Sequence, residues 1–158
     1  MDNADLLFKV TLMNSSYTRC VDNDELEVWP EFFTDPCLYV VTTDDNHRRG
    51  YQAGVIYADT RGMLHDRVSG LREANIYEKQ RYRHLVSMPT LLDVADGTAR
   101  VETPFAVYRI MRDGRTDLFA TGRYLDSVRT QKDGSLRFAE RVVVCDSSIV
   151  DTLLAIPL

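Results

Sequence analysis

Apolar side chains in the first part of the chain recur three or four residues apart, which is the spacing of one helical face. This pattern predicts a helix over residues 5–18, and a second helix from the capping residue Thr60 to about Ala74. The apolar positions of the first helix are Leu6, Val10, Met13 and Tyr17.

Between these helices the pattern predicts three shorter segments. A short helix is expected over Glu25–Phe33, with Asp22 and the two residues after it, Asn23 and Asp24, as candidate caps and Pro30 as an interruption. The β-branched and aromatic run Cys37–Thr43 predicts a strand. The polar residues 44–50, which end in glycine, predict a loop.

The second half of the chain is rich in β-forming residues that are separated by three Asp-Gly pairs. Asp-Gly favours tight hairpins because such turns need positive φ. The pairs are Asp96-Gly97, Asp113-Gly114 and Asp133-Gly134. They predict a four-stranded antiparallel meander over about 83–94, 99–112, 116–131 and 135–146.

The length of these strands predicts a curved sheet. Strands of about 15 residues would be roughly 50 Å long if straight, whereas a domain of this size is about 40 Å across. Pro104 and Gly122 should therefore mark bulges or corners. Residues 1–158 then form one α+β domain, in which the meander and an N-terminal strand wrap the N-terminal helices. The last twelve residues, 147–158, end in an apolar run and should dock on the body or on a neighbour.

Charge and composition narrow the function classes. The net charge of −5 argues against a nucleic-acid surface, which needs clustered positive charge. The chain has no apolar run of the ~20 residues that a membrane span requires. The three widely spaced cysteines, Cys20, Cys37 and Cys145, suggest reduced thiols and a cytoplasmic location.

The charge is uneven along the chain. Residues 1–46 carry 2 basic and 10 acidic side chains, and residues 47–84 carry 8 basic and 4 acidic ones. The two segments could neutralise each other within one monomer. Alternatively, opposite patches could meet across a subunit boundary, where complementary charge sets register.

The sequence contains no recognisable metal-binding or nucleophile motif. A Rieske cluster needs paired Cys and His ligands, and mononuclear iron needs two His and a carboxylate. The three histidines, His47, His65 and His84, are scattered, and no Cys lies within four residues of a His. The motifs of Walker, dinucleotide-binding and nucleophile-elbow loops are also absent from the sequence. We therefore expect no catalytic, cofactor-binding or metal-binding residue in this chain.

Acid–base chemistry inside a cone-shaped domain remains an alternative, because buried Asp, His and Tyr side chains follow no motif. The candidates are Tyr17, Asp22, Tyr39, Tyr57 and His84. Each also has a structural interpretation: tyrosines complete apolar faces, Asp22 caps a helix, and His84 is a hydrogen-bonded strand residue. The basic run Arg81, Tyr82, Arg83 and His84 has the composition of a protein interface.

Several segments together resemble the small (β) subunits of aromatic-ring-hydroxylating oxygenases. The acidic DELEVWPEFFTD of residues 24–35 leads into the strand LYV, as in that family. The helix DRVSGLR of residues 66–72 and the strand RHLVS of residues 83–87 match further family segments. A final strand, RVVVCD of residues 141–146, and a closing apolar segment complete the match.

The resemblance implies an NTF2-like, cystatin-like cone and a structural role. It further implies a large (α) partner subunit that carries a Rieske [2Fe-2S] cluster and mononuclear Fe(II). The assembly would be α3β3, with electrons from NAD(P)H delivered through a reductase and a ferredoxin. In spacing the chain is most similar to small subunits of salicylate 5-hydroxylase and anthranilate dioxygenase, which implies an aromatic carboxylate such as salicylate as substrate. The competing hypothesis is a stand-alone isomerase or dehydratase of the ketosteroid-isomerase or SnoaL-like type.

Overall fold

The computed structural model describes residues 2–51, 54–74, 79–148 and 154–158. The helices are α1 (Asn3–Asp22), α2 (Asp44–Arg48) and α3 (Arg61–Ala74), together with a 3-10 turn at Trp29–Phe32. The strands are β1 (Phe33–Thr43), β2 (Ile56–Ala58), β3 (Gln80–Val86), β4 (Thr90–Ala95), β5 (Thr98–Met111), β6 (Thr116–Thr130) and β7 (Leu136–Cys145).

The seven strands form one sheet in the order β2-β1-β7-β6-β5-β3, and β4 also pairs with β5. The pair β1–β7 is parallel, whereas the other pairs are antiparallel. A parallel pair needs a long crossover, and here most of the domain lies between its two strands. The predicted α+β class and curved sheet are confirmed, with β2 and the parallel pair added.

The meander that the three Asp-Gly turns predict is confirmed. Gly97, Gly114 and Gly134 adopt φ of 72°, 89° and 82°, the left-handed region that glycine enters without strain. Asp96 also has positive φ, at 50°, which gives the two-residue turn between β4 and β5 its primed geometry.

The first predicted meander strand, 83–94, is two strands in the structure. β3 and β4 both pair with β5, and the break between them lies around Pro104, since Phe105 pairs with β3 and Glu102 pairs with β4. Proline has no N–H to donate, so it fits this gap, and its carbonyl accepts from the Ser87 amide at 3.0 Å. The register shift of β5 lies at Val107/Tyr108 instead.

Gly122 lies at a close approach between strands and not at a bulge. A Cβ atom built on it would lie 2.1 Å from the Val144 carbonyl oxygen on β7. The residue must therefore be glycine for β6 and β7 to pair at this distance.

Two short segments differ from the prediction. Glu25–Phe33 does not form a helix beyond the 3-10 turn, in which Pro30 occupies the first turn, where its missing N–H costs nothing. The predicted loop 44–50 begins with the one-turn helix α2, because the Thr43 hydroxyl accepts from the Asn46 amide and caps it.

The core lies between the concave face of the sheet and the helices. The predicted apolar face of α1 is buried, from Leu6 to Tyr17, and Thr60 caps α3 by accepting from the Met63 amide. Part of the C-terminal segment docks on the body as predicted: Leu154, Ile156 and Leu158 are buried. Residues 149–153 of that prediction lie outside the described residues. Among the described helices, none is both long and apolar enough to cross a bilayer.

Candidate functional site

The tyrosines of the cone interior converge on the last residue of the chain. The hydroxyl groups of Tyr17 and Tyr39 donate to the Leu158 carbonyl oxygen at 2.8 and 3.2 Å, and the Leu158 amide donates to Tyr39 at 3.1 Å. The indole N–H of Trp29 donates to the Tyr17 hydroxyl at 3.0 Å. Two of the predicted acid–base candidates thus hold the C-terminal segment in place.

A buried ion pair lies beside these tyrosines. Arg141 on β7 donates to both carboxylate oxygens of Asp126 on β6, at 2.9 and 2.8 Å, and neither side chain is exposed. Arg141 also donates to the side-chain oxygen of Asn14 on α1. The pair therefore links two strands to the first helix.

Three aromatic rings surround the Arg141 guanidinium. Its central carbon lies 4.3 Å from the ring centroid of Tyr17, 4.0 Å from that of Tyr124 and 3.8 Å from that of Phe138. Such contacts stabilise a desolvated cation. At this point the interior of the cone is therefore occupied by the Arg141 guanidinium and the Asp126 carboxylate that pairs with it.

Burial changes the acidity of these groups. It raises the pKa of the Tyr17, Tyr39 and Tyr124 hydroxyls above the ordinary value, although Arg141 opposes the rise at Tyr17 and Tyr124. It also raises the pKa of the Asp126 carboxyl against the opposing charge of Arg141. Burial by itself lowers the pKa of Arg141, but the net shift is upward, with the charge and hydrogen bonds of Asp126 as the leading opposing cause, so the guanidinium stays charged. The three tyrosines remain neutral hydrogen-bonding groups at neutral pH.

The other two buried candidates, Asp22 and His84, form a pair. The carboxylate of Asp22 lies 2.6 Å from His84 Nδ1 and accepts from the His84 amide at 2.9 Å. Asp22 is the last residue of α1 and not a cap before a second helix, so that interpretation was wrong. It satisfies an amide of β3, an edge strand, and orients the His84 ring.

The remaining predicted residues lie at the surface or on the edge strand. Tyr57 is 49% exposed on β2. In the basic run, Arg81 and Arg83 are exposed, whereas Tyr82 and His84 are 2% and 7% exposed and point into the core. Strand alternation therefore divides this run between the two faces of the sheet.

Ion pairs within the monomer join the acidic and basic segments of the chain. Arg72 on α3 pairs with Asp24 at 2.8 Å and with Glu27 at 2.7 Å, and Arg61 pairs with Glu31. These contacts favour the interpretation that the two segments neutralise each other within one monomer.

The three histidines lie in different parts of the domain. His47 is in α2, His65 in α3 lies 3.9 Å from Glu31, and His84 on β3 is committed to Asp22. In the described ranges, no three His, Cys, Asp or Glu side chains gather as a metal ion would require. These residues do not fit a Rieske cluster or a mononuclear iron.

Sequence reasoning missed Asp126 and Arg141. A usable signal exists, since both occupy inward positions of strands whose other inward residues are apolar, such as Val128 and Val143. A charged residue at an inward position indicates a partner, but the sequence does not say which strand supplies it.

Comparison with known proteins identifies the family. The sequence matches the family described as "Ring hydroxylating beta subunit" over residues 18–152. It is 49% identical to the β 2 subunit of the terminal oxygenase component of terephthalate 1,2-dioxygenase from Comamonas sp., over 95% of this chain and 97% of the relative. It is 36% identical to the anthranilate 1,2-dioxygenase small subunit from Burkholderia cepacia, over 96% and 93%.

Comparison with solved structures supports the same family. A structure described as the β subunit of an aromatic-ring-hydroxylating dioxygenase from Novosphingobium aromaticivorans superposes with a TM-score of 0.90 and 33% identity, over 99% of this chain and 100% of that one. A scytalone-dehydratase-like protein from the same organism reaches a TM-score of 0.69 at 16% identity, over 92% and 87%, which shows a shared cone fold alone. The chain therefore belongs to the family of ring-hydroxylating dioxygenase β subunits.

Proposed function

We propose that this chain is a non-catalytic, structural subunit of a multicomponent ring-hydroxylating oxygenase. The observation that carries the proposal is the occupied centre of the cone, where Arg141, Asp126 and the C-terminal Leu158 are bound by Tyr17 and its neighbours. A stand-alone isomerase or dehydratase would need that space for a substrate. It would also need groups with pKa near the working pH, whereas burial moves the pKa of these tyrosines further from neutrality.

The proposed partner is a large (α) subunit in an α3β3 assembly. That subunit would hold the Rieske [2Fe-2S] cluster and the mononuclear Fe(II), and electrons would come from NAD(P)H through a reductase and a ferredoxin. This division of labour is supported by the separation of the three histidines in this chain. The three free thiols, Cys20, Cys37 and Cys145, suit a reducing, cytoplasmic setting.

The proposed substrate class is an aromatic carboxylate. The names of two relatives specify terephthalate and anthranilate, both of which carry a carboxylate on an aromatic ring. Salicylate, which the sequence resemblance favours, belongs to the same class and is the alternative within it.

Co-expression with a Rieske large subunit tests the proposal. We expect the chain alone to be colourless and free of stoichiometric iron, and the co-purified complex to carry the iron and the oxygenase activity. About one tightly bound iron per chain in the isolated protein would contradict the structural role, and so would turnover of an aromatic substrate by this chain alone.

We further propose that the β3 edge, with Arg81, Tyr82, Arg83 and His84, contributes to a subunit interface. Arg81 and Arg83 would make the contacts, while the buried Tyr82 and His84 hold the strand from inside. Replacing both arginines with Glu should weaken assembly more than it lowers the melting temperature. Arg19→Glu with Lys132→Glu, two other exposed sites, is the matched control. Unchanged oligomers in native mass spectrometry would rule the edge out.

A further inference from the structure

We infer that this chain has a small-molecule site of its own, a cleft beside the occupied centre of the cone that binds a hydroxylated aromatic carboxylate. The cleft lies between the C-terminal ends of α1 and α3, strand β3 and the turn from β5 to β6, and its volume is about 980 Å³. Ligand sites are concave and largely apolar, with a few placed polar groups. The inference goes beyond the proposed function, because it assigns a ligand to this subunit and not to its partner.

The apolar part of the cleft is formed by side chains that are buried in the domain. They are Val21 on α1, Tyr82 on β3, Met111 on β5 and Ile156 in the C-terminal segment. The ring of Tyr82 stacks on that of Phe119, with the two centroids 5.2 Å apart, so its position is fixed. A flat aromatic ring buries much apolar area, and a methionine sulfur makes favourable contacts with it. This lining therefore favours a ligand with an aromatic ring.

One carboxylate of the lining is almost completely buried. The side chain of Asp22 is 4% exposed, and His84 fixes it: the ring Nδ1 lies 2.6 Å from Oδ1, and the amide donates to Oδ2 at 2.9 Å. A carboxylate offers about four acceptor positions, and these contacts leave part of them unused. Arg83 lies 3.8 Å away, which is too far for a hydrogen bond. Asp22 can therefore accept from a hydroxyl group of a ligand in the cleft.

The lining is cationic, although the whole chain carries −5. It contains five cationic side chains against three carboxylates. The cations are Arg72, Lys79, Arg81, Arg83 and Arg112, and the carboxylates are Asp22, Asp24 and Glu25. Arg72 is neutralised by Asp24 and Glu27. In contrast, Lys79 and Arg112 pair with no carboxylate in the described part of the chain, so they are available to bind an anion.

Strand register brings these two cations together. Gln80 pairs with Met111 across β3 and β5, so Lys79 and Arg112 come next on the two segments. Like charges that face each other across strands are destabilising, and a bound carboxylate removes that cost.

A hydroxyl donor for Asp22, an aromatic ring and a carboxylate for Lys79 and Arg112 together define a hydroxybenzoate. Hydroxylation of an aromatic carboxylate yields compounds of this class. The ligand is then related to the product of the assembly, and that link, unlike the site itself, rests on the proposed function.

Isothermal titration calorimetry of the isolated chain tests the site with the three hydroxybenzoate isomers, benzoate and phenol. We expect at least one isomer to bind saturably. Benzoate and phenol should each bind at least tenfold more weakly, because each lacks one of the two polar groups. No saturable binding of any isomer at millimolar concentrations would overturn the inference, and so would benzoate that binds as tightly as the best isomer.

A double variant tests the carboxylate end of the site. Lys79→Gln with Arg112→Gln changes two exposed residues, so the melting temperature should not change, and binding of the best isomer should weaken at least tenfold. Arg129→Gln with Lys132→Gln removes two exposed cations elsewhere and is the matched control. Equal affinities of the two double variants would show that the ligand does not use the cleft.

Nitrogen-15 NMR of the histidine rings locates the ligand. The ring resonances of His84, which is bonded to Asp22, should shift on binding, whereas those of His47 and His65, which do not line the cleft, should not. Shifts confined to His47 or His65 would place the ligand elsewhere and overturn the inference. All these measurements use the isolated chain. A chain that assembles with the large subunit but binds no hydroxybenzoate therefore overturns this inference and leaves the proposed function intact.

Discussion

At the scale of single residues, the Asp126–Arg141 pair places two opposite charges where neither side chain is exposed. Removing a charge from water is costly, and two hydrogen bonds to Asp126, one to Asn14 and three aromatic rings offset that cost here. A buried pair of this kind contributes little net stability, but removing only one of its two charges is strongly destabilising.

We therefore predict that Asp126→Asn lowers the free energy of unfolding by about 3–5 kcal/mol, because it leaves the buried guanidinium uncompensated. The double variant Asp126→Leu with Arg141→Met should recover most of the loss, since it removes both charges. Urea denaturation of the two proteins measures the difference, with the exposed Asp59→Asn as control. A single variant as stable as that control would show that the pair is not needed.

The three cysteines give a second prediction at this scale. Burial raises the pKa of Cys20, Cys37 and Cys145 to about 11, and the thiolate is the reactive form. At pH 8 the folded protein should react with iodoacetamide far more slowly than the same protein in urea, where all three thiols should label. Mass spectrometry of the labelled protein counts the sites, and rapid labelling of the folded chain would contradict the prediction.

The sequence predicted Asp22 and His84 as candidate residues, but it did not predict that they pair with each other. Both residues were named as candidates from chemistry alone, and the expectation that His84 is hydrogen-bonded is confirmed by its bonds to Asp22. The pairing itself joins positions 62 apart in sequence, and no local pattern announces such a contact.

At the scale of secondary-structure elements, the C-terminal segment acts as part of the core. Leu158 is fully buried between the tyrosines of α1 and β1, and Arg67 on α3 donates to the Leu154 carbonyl oxygen at 2.7 Å. The segment therefore ties two helices and a strand together after the last strand has ended.

We predict that deleting residues 154–158 unfolds the domain or dissociates its assembly. Each buried Leu or Ile side chain contributes roughly 1.5–3 kcal/mol, so losing three of them approaches the whole stability of a typical domain. Two single substitutions test the same point in a protein that still folds. Leu158→Ala should lower the melting temperature clearly, whereas Leu92→Ala, at a half-exposed position, should not. Equal melting temperatures for these two variants would show that the segment is dispensable.

The Asp-Gly turns predict some of the strand pairings but not others. The three hairpins of β4 to β7 follow from Asp-Gly, because the required positive φ is a local property. The break between β3 and β4 and the parallel β1–β7 pair depend on partners far along the chain, so the sequence pattern could not resolve them.

At the scale of the whole molecule, the centre of the cone is occupied by the Asp126–Arg141 pair and Leu158, and under the proposed function the domain is a structural subunit. Catalysis by a large subunit requires that no side chain of this chain transfers a proton in the reaction. Histidine is the side chain that enzymes use most often for proton transfer, so the three histidines offer the sharpest test.

We predict that replacing His47, His65 or His84 singly with Gln leaves turnover per assembled complex within a few-fold of the wild type. His84→Gln should also lower stability, because Asp22 loses its buried partner. A positioned acid or base contributes about 10²–10⁴-fold to a rate. A loss above a hundredfold with assembly and iron content intact would place catalysis in this subunit.

The sequence by itself determined the fold class, the hairpins and the family. Each of these depends on local information: the spacing of apolar residues on α1, the Asp-Gly turns, and short motifs such as DELEVWPEFFTD. Local information is sufficient there because backbone conformation and the direction of neighbouring side chains are set within a few residues.

Tertiary structure alone decided how the interior is filled. Arg141 meets Asn14 across 127 positions of sequence, and Leu158 meets Tyr17 across 141. The sequence marks these residues as apolar, aromatic or charged, but several partners are chemically acceptable for each. Only the curvature of the sheet around α1, which brings particular inward positions within hydrogen-bond distance, selects one partner.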